Sequence, residues 1–322
     1  MRVLVTGAGG FIGRRLVKVL VERGKLAASA ADPVPIEEIV LVDRHPIETP
    51  AAGGPKIATL AGDLGEDRLL DEAFRGGIDS IFHLAATLTI DAERDLETGW
   101  AVNLQLPFRL LEACRRAGRK PRFVHASSIA VFGGALPGRV TDTHVQTPQT
   151  SYGTAKAITE LLINDYSRHG FVDGRALRLP IVVIRPGKPT GAISDVIGGL
   201  AREPLAGLEV TCPLGPQTRF PVVSVGRVAE NLIRLHDMPA DCFSHSRAVN
   251  QPGLTVSVAE IAAALERVAG PEAAARIRIE PVASVERVVA GWPRELVSDA
   301  ALHPPLDPDP GFESIVRGYL QG

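Results

Sequence analysis

Short apolar, β-branched runs alternate with stretches of helical period over roughly the first half of the chain. Arg2–Thr6 reads as a buried strand, and Leu16, Val17, Leu20 and Val21 mark a helix behind it. Gly24 to Glu38 is rich in small residues and proline, the pattern of a surface loop. Ile39–Asp43, Lys56–Leu60, Asp79–Ala86 and Arg122–Ser128 predict the second to fifth strands. One helical period runs from about Ala92 to Arg116, and another from Tyr152 through Leu161, Leu162 and Tyr166. Ala176–Arg185 predicts a sixth strand, in which Pro180 calls for an edge or a bulge. Strands alternating with helices in this way predict an α/β fold, a Rossmann-type doubly wound parallel sheet.

The alternation breaks at Pro186-Gly187-Lys188-Pro189-Thr190-Gly191. A sheet domain is therefore expected over 1–185. A smaller, interleaved C-terminal substrate-binding region is expected over 186–322, with about 220–252 returning to the first domain. Ser194–Leu200 and Val225–Leu235 read as helices, and Ser257-Val-Ala-Glu260 is a capping box opening another. A proline-rich tail from Pro293 to Pro310 precedes a last short helix.

Composition narrows the function classes. A chain of 322 residues, 45% hydrophobic and 22% charged, is large enough for a sizeable core. Its net charge of -2, from 35 basic and 37 acidic residues, gives no general pull toward nucleic acid or an anionic membrane. The basic run Arg115-Arg116-Ala117-Gly118-Arg119-Lys120-Pro121-Arg122 falls at a helix end, where cations complement the dipole. Cys114, Cys212 and Cys242 are far apart and form no Cys-x-x-Cys pair, so free thiols in a reducing cytoplasm are expected, with no metal site. Cys242-x-x-His245 is too sparse to bind an ion. No signal peptide is visible, and no apolar run approaches the ~18–20 residues of a membrane span.

The candidate chemistry sits at strand ends. Gly7-Ala8-Gly9-Gly10-Phe11-Ile12-Gly13 joins the first strand to its helix, presenting backbone N–H groups and a positive helix end to a pyrophosphate. Its glycine spacing, Gly7-x-x-Gly10-x-x-Gly13, differs from G-x-G-x-x-G. Asp43, at the end of the second strand, is placed for the adenosine ribose hydroxyls and would repel a 2′-phosphate, so NAD is expected over NADP. Arg44 opposes that by offering a phosphate a cation. Asp63 is expected to cap the helix after it, to touch the adenine, or both. His83 reads as a packed residue rather than a catalytic one, and Asn103 either bonds within the core or holds a water or a lysine. Ser127 and Ser128 end the fifth strand and point toward a ligand crevice. Tyr152 and Lys156, four apart, share a helix face, where an ammonium would make the phenol more acidic and fit it for proton transfer.

Together, Thr6-Gly7-x-x-Gly10-x-x-Gly13, Asp43, Asp63-Leu64, His83-Leu84-Ala85-Ala86, Asn103, Ser127-Ser128 and Tyr152-x-x-x-Lys156 resemble the extended short-chain dehydrogenase/reductase superfamily over about residues 1–190. The resemblance implies catalytic roles for Ser128, Tyr152, Lys156 and Asn103, with Ser128 chosen because it precedes Phe132-Gly133 by four residues. It implies NAD contacts from the Gly7 to Gly13 turn including Phe11 and Ile12, from Asp43, Asp63, Leu64, Leu84, Ala85, Ala86 and Pro186, and from Tyr152 and Lys156. Substrate contacts are implied for Thr87, Thr89, Ser127, Ser128, Lys188 and Arg219. Within the superfamily, Phe123-Val-His-Ala-Ser-Ser128, Ser151-Tyr-Gly-Thr-x-Lys156, Val183-Ile-Arg-Pro-Gly-Lys-Pro189 and Arg202-Glu-Pro-Leu-Ala-Gly207 are similar to the family of D-erythronate dehydrogenases. That family has Ser-Gly where this chain has Thr89-Ile90, and an aromatic pair where it has Phe220-Pro221. Ile90 is expected to narrow the pocket.

What the resemblance implies is NAD-dependent oxidation of the carbon-2 hydroxyl of a small sugar acid to a ketone, by a cytoplasmic homodimer. Lys188 and Arg219 are the cations expected to meet the substrate carboxylate. A nucleotide-sugar 4-epimerase is the first alternative. The Asp-Glu pair of related dehydratases is absent, since Ile129-Ala130 follow Ser128. A non-catalytic NAD-binding protein is the second alternative, opposed by the presence of both Tyr152 and Lys156.

Overall fold

The computed structural model describes residues 1–28, 33–48, 53–187, 192–243, 246–299 and 302–321. Seven parallel strands form the main sheet in the order Ala248–Asn250, Asp173–Leu179, Arg122–Ser128, Ser80–His83, Arg2–Thr6, Glu38–Asp43, Lys56–Ala61. Alternation along each strand sends side chains to two faces, and both are covered. Val3, Val5 and Leu41 pack with Leu16 and Leu20 of helix Phe11–Arg23 and with Val228 and Leu232 of helix Val225–Asp237. Leu4, Val40 and Phe123 pack on the other face, with Leu110 of helix Leu106–Ala117 and Ile163 of helix Ser151–Arg168. The fold is thus a doubly wound α/β sheet. Strand order reverses between Arg2–Thr6 and Ser80–His83, opening a crevice beyond their carboxyl ends.

A third core lies outside this sheet. Strands Ile181–Val183, Arg219–Ser224 and Leu254–Ser257 form a small sheet packed with helices Ile193–Leu205, Val258–Ala269 and Phe312–Leu320. The capping box is present: Ser257 accepts from the Glu260 N–H, and Glu260 accepts from the Ser257 N–H. The segment between the two sheets is shared, since Arg219–Ser224 lies in the small sheet whereas Ala248–Asn250 pairs with Asp173–Leu179 in the main one.

Three local expectations are corrected. The sixth strand is two: Asp173–Leu179 stays in the main sheet, and Ile181–Val183 joins the small one. Pro180, with no N–H to give a ladder, sits at the changeover. The Gly24 to Glu38 loop contains an antiparallel pair, Lys25–Ala27 with Pro33–Pro35. The single long helix is broken into Thr89–Arg94, Leu96–Trp100, a π-helical turn Ala101–Gln105 and Leu106–Ala117. Asp95 starts the second piece by accepting the Thr98 N–H at 2.9 Å. Pro107 can give no bond to the Asn103 carbonyl four residues back, and its ring crowds that carbonyl, so the ladder widens ahead of it. The Thr159 hydroxyl reaches the Asn103 carbonyl instead, at 3.4 Å.

Candidate active site

Ser128, at the end of strand Arg122–Ser128, lies near enough to Tyr152, in the first turn of helix Ser151–Arg168, to act on its phenol. Thr150 caps that helix by accepting the Gly153 N–H at 3.0 Å, and Glu93 accepts both the Ser151 N–H and its hydroxyl. Gly153 has no side chain to hold the helix away from the turn after Ser128, a contribution that the Tyr152–Lys156 pattern does not reveal. Lys156, 1% exposed, lies with its Nζ 5.6 Å from the Tyr152 ring centre and donates to the Ala126 carbonyl at 2.8 Å.

Burial dominates the electrostatics of this pair. It pushes the Tyr152 phenol up to about 12, which the neighbouring Ser128 hydroxyl only partly offsets. It brings the Lys156 ammonium down to about 7, against the field of Glu160 that raises it. The phenol is therefore shifted opposite to the expected acidification, because desolvation of the phenolate dominates and no Lys156 contribution offsets it. Two buried histidines stack beside the site, His83 and His125, with ring centres 5.2 Å apart. Burial, and then the Lys156 charge, hold both below the usual range, His83 at about 3, so both are neutral. His83 Nδ1 bonds to the Thr6 hydroxyl at 2.7 Å.

A cavity of about 250 Å³ opens at the strand-order reversal. Gly7, Gly10, Asp43, Asp63, Leu64 and the segment Leu84 to Thr87 line it. Its floor has no room for side chains: a Cβ on Gly7 would stand 2.7 Å from the Ala85 nitrogen, and one on Gly13 would stand 2.2 Å from the Gly7 oxygen. Gly7 also needs its positive φ of 69°. Asp43 braces the turn by accepting the Gly9 N–H at 2.9 Å, and Phe11 and Ile12 begin the helix whose amino end faces this turn. Arg44 is drawn to Asp63, 3.5 Å away. A shaped glycine cradle, a carboxylate at the second strand end and a helix amino terminus together fit a dinucleotide.

Several expected site residues take other places. Ser127 points to the opposite face from Ser128 and donates to buried Glu160 at 2.5 Å, which removes it from the crevice. Asn103 clamps the backbone of Thr87, accepting its N–H and donating to its carbonyl, both at 2.9 Å, and makes no bond to Lys156. Asp63 is no helix cap; helix Asp67–Phe74 starts after Glu66, and Asp63 accepts the Gly65 N–H inside the preceding turn. Thr89 opens a short helix and is half-buried, and Pro186 is exposed. Arg219 bonds to Glu260 at 3.0 Å and to the Thr255 carbonyl, on the wall of a separate cavity of about 310 Å³ that Thr218, Glu286 and Arg294 also line. Lys188 lies outside the described residues.

At the other end of the sheet, Ser80 bonds to His236 and His236 to Asp237, each at 2.8 Å. This serine–histidine–aspartate chain is structural, since Ser80 and His236 are fully buried and burial holds His236 at about 4. Among the described residues no cluster of three His, Cys, Asp or Glu side chains is arranged to hold a metal, and no helix is long and apolar enough to cross a membrane.

The sequence model of the NAD dependent epimerase/dehydratase family matches residues 3–242. The chain belongs to this family. It is similar over its whole length to D-erythronate dehydrogenase of Cupriavidus necator, at 39% identity covering 98% of that protein. The enzyme of the same name from Haemophilus influenzae is 36% identical, with 99% covered. Among solved structures it resembles one described as a nucleoside-diphosphate-sugar epimerase from Agrobacterium tumefaciens, with TM-score 0.92 and 37% identity, covering 100% of this chain and 94% of that one. The chain is thus an NAD-dependent oxidoreductase of the extended short-chain dehydrogenase/reductase type.

Proposed function

We propose that the enzyme oxidises the carbon-2 hydroxyl of a small sugar acid, D-erythronate or a related aldonate, to the 2-oxo acid. The observation that carries this reading is full-length similarity to D-erythronate dehydrogenases, at 39% and 36% identity, in a chain whose Ser128, Tyr152 and Lys156 converge. NAD, when bound, supplies the acceptor for the hydride that leaves carbon 2. Tyr152 takes the proton from the substrate hydroxyl, and Ser128 hydrogen-bonds the same oxygen as its charge changes. Lys156 stabilises the phenolate form. Asn103 acts through Thr87, fixing the segment that lines the crevice.

The test is NADH formation over a panel of four- to six-carbon aldonic acids with the purified enzyme. Turnover of D-erythronate, or of a stereoisomer, supports the reading. A second reading, a nucleotide-sugar 4-epimerase, is favoured by the solved structure of that description. It requires NAD to stay bound through purification and UDP- or GDP-sugars to epimerise with no net NADH. NAD binding without turnover of either substrate class would leave the non-catalytic alternative.

Helices Leu106–Ala117 and Ser151–Arg168 expose Phe108 (44%) and Leu161 (63%) on the outer face, which fits a homodimer built on these helices. Leu161→Arg is then expected to yield a monomer by light scattering, and a wild-type monomer would remove the dimer.

A further inference from the structure

We propose that Glu160 is a positioning residue of this reaction, locking the strand end that carries Ser128 to the helix that carries Tyr152 and Lys156. The proposal rests on the roles given above to those three residues.

Glu160 is 2% exposed and stands one turn beyond Lys156, on the same helix face. Its Oε1 accepts the Ser127 hydroxyl at 2.5 Å, and Ser127 directly precedes Ser128. Gln146, in the segment that leads into the helix, donates to Oε2. Arg178 donates Nε to both oxygens at 3.1 Å and Nη2 to Oε2 at 2.8 Å. Arg178 lies directly across the sheet from Ser127. Its Nη1 donates to the Asp142 carbonyl at 2.8 Å, and its guanidinium lies 5.1 Å from the Phe132 ring centre, just past the Ser128 turn. One buried carboxylate thus gathers the segments that carry Ser128 and Tyr152. Five donated bonds occupy its oxygens, so it holds the site together and does not bind substrate.

Its charge has a second effect. The titratable groups facing Lys156 are His83 and His125 from the sheet, both neutral, and Tyr152 and Glu160 from its own helix. Glu160 is the one anion among them, and its field favours the ammonium.

The experiment compares wild type, Glu160→Gln and Ser127→Ala. It follows kcat with NAD and D-erythronate, NAD affinity by calorimetry, and the Lys156 titration by NMR of 13C-lysine-labelled protein, assigned with Lys156→Met. Glu160→Gln is expected to lose about 10- to 100-fold in kcat, with NAD affinity within about threefold and the Lys156 midpoint lowered by about one pH unit. Ser127→Ala, which keeps the Glu160–Arg178 pair, is expected to lose several-fold in kcat with the midpoint unmoved. A Glu160→Gln enzyme with kcat within twofold of wild type, or an unshifted Lys156 midpoint, overturns the proposal. Should Glu160→Gln fail to fold with Arg178 left unpaired, the double variant Glu160→Gln/Arg178→Met, which buries no lone charge, is read by the same criteria. If wild type oxidises none of the aldonic acids in the panel, the functional reading above is what fails, and the Lys156 midpoint alone then decides the role of Glu160; if it oxidises another aldonate, kcat is followed with that substrate.

Discussion

A Cβ on Gly153 would stand 2.1 Å from the carbonyl oxygen of Ala130. The residue after Tyr152 therefore sets how closely the helix approaches the turn that follows Ser128. Gly153→Ala must push the two apart, and displacement of reacting groups by about 1 Å costs on the order of 100-fold in rate. The expected result is kcat lowered about 10- to 100-fold, with a wild-type circular dichroism spectrum and NAD affinity within about twofold.

Tyr152→Phe removes the proton acceptor and leaves the glycine cradle intact. We expect a loss of about 100- to 10,000-fold in kcat, with NAD binding retained in calorimetry. Because burial holds the phenol near 12, its basic form is scarce at neutral pH. Oxidation needs that basic form and reduction needs the protonated one. The forward rate should thus climb from about pH 7 to 10 while the reverse rate, which uses the protonated phenol, stays nearly flat. Initial rates in both directions test the sign.

Cofactor choice should turn on Asp43 and Asp63. Asp43→Ser removes the carboxylate that braces Gly9 and faces the ribose end of the cradle. Loss of a charge-assisted bond of about 1.5–3 kcal/mol corresponds to roughly 10- to 100-fold in KM for NAD. Asp63→Asn releases Arg44 from its 3.5 Å ion pair, and NADP should gain more from this than NAD does. Steady-state KM for both dinucleotides checks each variant.

Stability should carry a pH signature from His303. Burial lowers its affinity for a proton, but the bond to Asp142 at 3.2 Å and that to the Pro304 carbonyl outweigh it, and the net shift is upward. A raised folded-state value means the stabilisation is complete below the unfolded value near 6.5 and is lost as pH rises through the folded one. His303→Gln should lower Tm at pH 6, by an amount that shrinks as pH rises through the folded-state value. Calorimetric Tm against pH would expose any other trend.

Much of this fold is legible in the chain because parallel strands buried on both faces leave uninterrupted apolar runs, as at Arg2–Thr6 and Glu38–Asp43. Tyr152, Lys156, Asp43 and the glycine turn announce themselves by spacing from a strand or helix end. The partners that hold them do not. Glu160 reads as one more helix acid until Arg178, Ser127 and Gln146 are seen to close on it. Ser127 leaves the crevice because neighbouring strand residues face opposite sides of the sheet, which turns its hydroxyl to Glu160 and away from Ser128. Pro107 carried the signal for the π-helical turn, and with it the reason Asn103 reaches Thr87. Nothing local marks Pro180 as the crossing between two sheets, since that depends on a strand some forty residues downstream, Arg219–Ser224.

Asp173–Leu179 is flanked by Arg122–Ser128 on one side and by Ala248–Asn250 on the other. A fragment ending near residue 190 would expose a row of unsatisfied amides along a strand that is buried in the whole chain, an invitation to self-association. Isolating the dinucleotide-binding half by truncation should give insoluble material, and any minimal version must retain that late three-residue strand.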